Sequence, residues 1–141
     1  MNSNQRAERL ALEKGRLTDL TDPVEKTRSY IRISGWLLDF VADSARLRDM
    51  DALTSLVEQY VTTVKSARDT IVNSRRDPER NPAGYKDLEL ALRLQMRHLN
   101  DIRLLLEVDS RRPVDQALEV AEGIRLEVFS ILFPAGGISN R

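Results

Sequence analysis

Four stretches of this chain carry apolar residues spaced alternately three and four apart, a rhythm that sets them along one face of an α-helix. A half-buried strand would instead alternate at every second position, so the pattern predicts an all-α protein. In the first stretch Val24, Thr27, Ile31, Ser34, Leu38, Val41 and Ala45 follow one another through roughly six turns. Thr21 or Asp22 is placed to cap its free amides, Pro23 suits the first helical position, and Glu25 sits near where a capping box puts its carboxylate.

The second stretch repeats the rhythm at Leu53, Val57, Tyr60, Val64, Ala67 and Ile71, with Asp49 or Asp51 as its cap. The link before it, residues 48–51, is short enough to demand antiparallel neighbours. A helix here should fade near Arg75, ahead of a loop through residues 76–84 that holds Pro78, Pro82 and Gly84. The third stretch has Leu88, Leu92, Leu99, Ile102 and Leu106, with polar Gln95 interrupting the seam. The fourth starts beside Pro113, runs through Val114, Ala117, Ala121, Ile124, Val128 and Ile131, and stops before Pro134, Gly136 and Gly137.

Each helix would hold about 21 to 26 residues, or roughly 32 to 39 Å, so the four can lie side by side. Tetratricopeptide-type repeats pack two helices into about 34 residues and do not fit these longer pairs. The expected architecture is an up-and-down antiparallel four-helix bundle with a short N-terminal helical arm. The arm occupies residues 1–20, with Ala7, Leu10, Ala11 and Leu17 among good helix formers. The bundle occupies 21–134, and 135–141 form a disordered tail.

With 41% hydrophobic residues in 141, one domain of this size can build a single core. The 22 basic and 22 acidic residues cancel. That balance argues against nucleic acid or a membrane as partner, because both normally select a basic excess. Cysteine is absent, which removes disulfides and thiolate chemistry. No apolar run approaches the ~20 residues needed to cross a bilayer, and residues 1–14 lack a signal-peptide core. The expectation is a soluble chain, cytoplasmic if it is complete and exported if a signal peptide was removed from it.

Residues that carry chemistry are few. His98 is the only histidine, and a carboxylate-bridged metal site in a bundle would need paired Glu-x-x-His motifs. Gln95 precedes it by three and Asp101 follows by three, so neither half exists, and no metal or cofactor is expected. Asp39 and Asp43 lie one turn apart, a common surface pattern. Motifs for phosphate, dinucleotide or nucleophile chemistry do not occur, so no catalytic residue is assigned.

Three surfaces remain as candidates. Ser34 and Gln95 fall on seams, where buried polar groups fix helix register or, with His98, line a ligand pocket. Arg75, Arg76, Arg80 and Lys86 cluster around the longest loop as a candidate anion patch, diluted by Asp77, Glu79 and Asp87. Nearby, Glu89, Arg93, Arg97 and Asp101 make a charge ladder read as solvated surface. Tyr30, Ile33, Trp36, Leu37 and Phe40 widen the apolar arc of the first long helix beyond what a bundle buries. The arm or a second subunit must cover it, whereas Phe129 and Phe133 are read as filling the bundle end. The function this favours is a non-catalytic helical interaction or scaffolding module whose partner is another protein or a second copy. The alternative is a small-molecule sensor or carrier with a pocket between the helices.

Overall fold

The first three α-helices begin at a side chain that caps their free amides, whereas the last two start beside Pro82 and Pro113 with no side-chain cap. A computed structural model describes residues 2–134; Met1 and the expected tail, 135–141, lie outside the described residues. It contains α1 (Ser3–Leu17), α2 (Pro23–Leu47), α3 (Met50–Val72), α4 (Ala83–Leu105) and α5 (Arg112–Leu132), with a 3-10 turn at Val108–Ser110 before α5. Asn2 and Gln5 form a reciprocal capping box that starts α1 at Ser3. Asp22 accepts from the Glu25 amide at 3.0 Å and Asp49 from the Ala52 amide at 3.1 Å, each worth about 1 kcal/mol. The Glu25 carboxylate turns instead to Arg28, 3.1 Å away, so α2 has a cap without the reciprocal bond.

Between α2 and α3 the chain reverses within three residues. Arg48 adopts the left-handed conformation at φ 57°, which returns its amide to the Ala45 carbonyl and the Asp49 amide to that of Ser44. A non-glycine residue there costs about 1 kcal/mol, offset by satisfying the last carbonyls of α2. The seams then close on one another. Leu38, Val41 and Ala45 of α2, Leu53, Val57, Tyr60, Val64, Ala67 and Ile71 of α3, Leu88, Leu92, Leu99 and Ile102 of α4, and Val114, Ala117, Ala121, Ile124 and Val128 of α5 are buried together.

Helix direction alternates along the chain, but the order around the bundle is α2, α3, α5, α4. The hairpins α2/α3 and α4/α5 are antiparallel; across them α2 lies parallel to α4 and α3 parallel to α5. Arg28 meets Asp87 at 2.7 Å near the starts of α2 and α4, and Gln95 meets Ser34 farther along both. On the other flank Arg68 of α3 grips Glu127 of α5 through two hydrogen bonds, at 2.9 and 2.5 Å. The diagonal therefore falls between α3 and α4. Residues 73–82 reach across it easily, since each extended residue spans up to ~3.3 Å. Where that connection ends, Gly84 is pressed against Ile71 and Val24, and a β-carbon there would collide with Ile71 Cδ1.

The arm folds back along α2 in the opposite direction. Arg6 reaches Asp43 at 3.1 Å, and two turns on Glu13 holds Arg32 at 2.8 Å. Leu10 and Leu17 pack partly buried against the core.

Candidate functional site

Ser34 and Gln95 do come together, and they are joined by a third residue that the sequence presented only as seam. The Tyr60 hydroxyl donates to Gln95 Oε1 at 2.9 Å, Gln95 Nε2 donates to Ser34 Oγ at 2.7 Å, and Ser34 donates to the Ile31 carbonyl at 2.8 Å. Tyr60 is 0% exposed and Gln95 8%, so the chain of bonds crosses α3, α4 and α2 inside the core. Burial raises the Tyr60 pKa well above that of a free phenol, which keeps the hydroxyl a donor. Among the described residues no buried side-chain nitrogen or oxygen lacks a partner. Such a neutral cluster, with each of its polar side chains bonded, ties three helices to one another. A phenol at a fully buried seam position needs a polar partner, and that is the signal by which the sequence could have revealed Tyr60.

His98 meets one member of this cluster, Gln95, in the lining of an open groove of about 400 Å³ between α2 and α4, together with Trp36, Gly35, Leu38 and Leu94, while Arg32 and Asp39 edge it. Trp36 and His98 are half-buried, and Leu94 is exposed. Among the described residues no three His, Cys, Asp or Glu side chains are grouped to hold a metal ion.

The apolar arc of α2 is divided by the arm. Ile33 and Leu37 are buried, and Tyr30 packs half-buried against the core. Trp36 and Phe40 remain half-buried, with Trp36 opening onto the groove. At the far end of the chain Phe129 and Phe133 are exposed with their rings 5.0 Å apart, rather than filling the bundle end. The reason is angular: positions 129 and 133 lie off the side of α5 that carries Ala121, Ile124 and Val128.

The candidate anion patch is partly neutralised by its own neighbours. Arg76 binds Asp22 at 2.7 Å and Arg80 stands 4.0 Å from Asp77, while Arg75 and Lys86 are exposed. Tyr85 fixes the connection by donating to the Arg76 carbonyl at 2.8 Å. The charge ladder on α4 also differs from a solvated surface at one end. Glu89 is only 7% exposed, held by Arg93 at 2.6 Å and by Arg125 of α5 at 3.3 Å. Arg97 and Asp101 are exposed.

Two carboxylates, Glu13 tying the arm to α2 and Glu127 tying α5 to α3, set an acid limit on the fold. Hydrogen bonding to Arg32 holds the Glu13 pKa below its usual 4.5, assisted by the Ser29 hydroxyl and opposed by partial burial. Hydrogen bonding to Arg68 does the same for Glu127. A carboxylate whose pKa is lower folded than unfolded contributes stability that is complete above the unfolded value and is lost as pH falls through the folded one. The melting temperature is therefore expected to stay level from pH 7 to about 5 with respect to these groups and to drop below about 4.5. Replacing both residues by Gln should flatten that drop when thermal unfolding is followed across pH. An unchanged acid slope in the double variant would contradict the assignment.

What the fold and its surfaces define is a small four-helix bundle with a closed polar cluster inside and an apolar groove outside. Comparison with protein-family models, curated proteins and solved structures finds no match to the chain. No helix among the described residues is long and apolar enough to cross a membrane.

Proposed function

We propose that this chain is a non-catalytic helical interaction module that offers the groove between α2 and α4 to a protein partner, another protein or a second copy. The observation that carries the reading is the pairing of Trp36 with Leu94 in an open groove edged by Arg32, Asp39 and His98. A tryptophan framed by charges of both signs has the composition of an interface centre and rim. The interior is in keeping with this, because Gln95, which also lines the groove, donates to Ser34 and accepts from Tyr60. Of the two aspartates one turn apart on α2, Asp43 is engaged by Arg6 and Arg46.

The test places a photo-crosslinking amino acid at Leu94 of the full chain in the cells that express it, with the same group at exposed Leu47 as control. A protein product captured at Leu94 alone, and lost on Trp36→Ala with no change in melting temperature, is the expected result. Capture of the same products from both positions, or of none, would overturn the reading. A small molecule retained in the groove instead of a protein would favour the sensor or carrier alternative.

A further inference from the structure

The arm differs from the other α-helices in the way it is held. Among the described residues α1 has no fully buried side chain, whereas each of α2 to α5 contributes several to the core. Its attachment is two polar pins with apolar contacts near them. Glu13 accepts from the buried Ser29 hydroxyl at 2.7 Å and from Arg32 at 2.8 and 3.1 Å. Arg6 donates to Asp43 at 3.1 Å, about two turns away along α1, with Leu10 between the pins and Leu17 one turn beyond Glu13.

The face that receives the arm cannot simply be left bare. Ser29, Ile33 and Leu37 follow at steps of four along α2, all buried, and Leu37 borders a hollow that Lys14 of the arm also lines. Without a helix on it this face would leave the buried Ser29 hydroxyl without its Glu13 acceptor. A lone helix as short as α1 is in turn marginal in water, so arm and face need each other. Nothing in the contact set requires that both belong to one chain.

The hinge allows either choice. Residues 18–21 are held by local bonds, from Thr18 Oγ1 to the Gly15 carbonyl and from the Asp19 and Leu20 amides to the Arg16 and Leu17 carbonyls, and only Asp22 at the end of the hinge, where it caps α2, is tied farther off, by Arg76 at 2.7 Å. Fully extended they span about 17 Å. Pro23 prevents a released arm from fusing with α2 into one longer helix, so it stays a separate helix with its docking side chains intact.

We infer that the protein exchanges arms: α1 of one copy docks on α2 of a second copy, and conversely, in a symmetric dimer that interconverts with the closed monomer. Exchange conserves every arm contact, so the balance rests on hinge strain and on concentration. It uses the arm-facing side of α2 and does not depend on the groove between α2 and α4 having a partner.

Charge exchange between full-length variants tests it. Glu13→Arg breaks the arm and Arg32→Glu breaks the receiving face, so each variant alone has a mismatched closed form. Mixed, the unaltered arm of the second meets the unaltered face of the first, and the two altered partners also match in charge. The expected result is a species of twice the chain mass by light scattering in the mixture, several-fold more abundant than in either variant alone. Two natively helical variants that remain separate monomers after joint refolding would overturn the inference. Should either variant fail to fold, Arg6→Cys and Asp43→Cys in the cysteine-free chain allow joining by a short bismaleimide. Covalent dimer that rises with protein concentration is then expected, and purely internal crosslinks at every concentration would overturn it.

Discussion

Leu38→Asp is expected to leave the chain unfolded at 25 °C, with its far-ultraviolet helical signal lost. Leu38 is 0% exposed at the middle of the α2 seam and belongs to the core cluster that the bundle helices share. Truncating a buried leucine costs about 2–5 kcal/mol. Placing an unpaired carboxylate in the same space adds several more, against a total stability of about 5–15 kcal/mol for a domain. The control is Leu12→Asp on the arm, at a position 70% exposed, where a change within about 0.5 kcal/mol is expected. A folded Leu38→Asp protein, or equal losses at the two positions, would mean that the seam does not hold the bundle.

The second large effect is expected at the buried polar cluster, and its signature is a recovery. Gln95→Leu removes the acceptor of the Tyr60 hydroxyl, which is then a buried donor without a partner, and urea unfolding should show a loss of about 1–3 kcal/mol. Adding Tyr60→Phe removes the orphaned donor as well, so the double variant should return to within about 1 kcal/mol of the parent, because replacing both partners by apolar groups approaches neutrality. Losses that simply add would show that volume, not hydrogen bonding, governs this position.

These two predictions mark what could be read in the chain before its fold was known. Seam residues such as Leu53, Val64, Leu99 and Val128 repeat over many turns, and a periodic signal of that length survives local exceptions. Asp22, Asp49 and the Pro82-Gly84 stretch were equally legible, being local chemistry within a few residues of the feature they control. Glu89 was not: its neighbour at i+4 is visible in sequence, but Arg125 reaches it from another helix, and that contact exists only after packing. Tyr60 was hidden by its own amphiphilic nature, because the ring fits the apolar rhythm while the hydroxyl does not. The placement of α3 diagonal to α4 could not be read either, since a long connection permits a neighbouring or a diagonal partner equally. The groove at Trp36 depends on that placement, as it takes one wall from α2 and the other from α4.

The side-by-side parallel arrangement of α2 and α4 has an electrostatic consequence. Every helix carries a macrodipole with about half a positive charge at its N-terminus, so two such ends meet at one end of the bundle and repel. A ring of strictly antiparallel neighbours would set each positive end beside a negative one. Here the chain supplies compensation at α2, where Asp22 caps the helix and Glu25 lies in its first turn, each carboxylate near such an end being worth roughly 0.3–1 kcal/mol, while α4 has no acid in its first turn. Arg28 lies between Glu25 and Asp87, at 3.1 and 2.7 Å, and keeps those acids from repelling one another in turn. The acidic residues at the start of α2 thus offset part of the field of the bundle's own backbone.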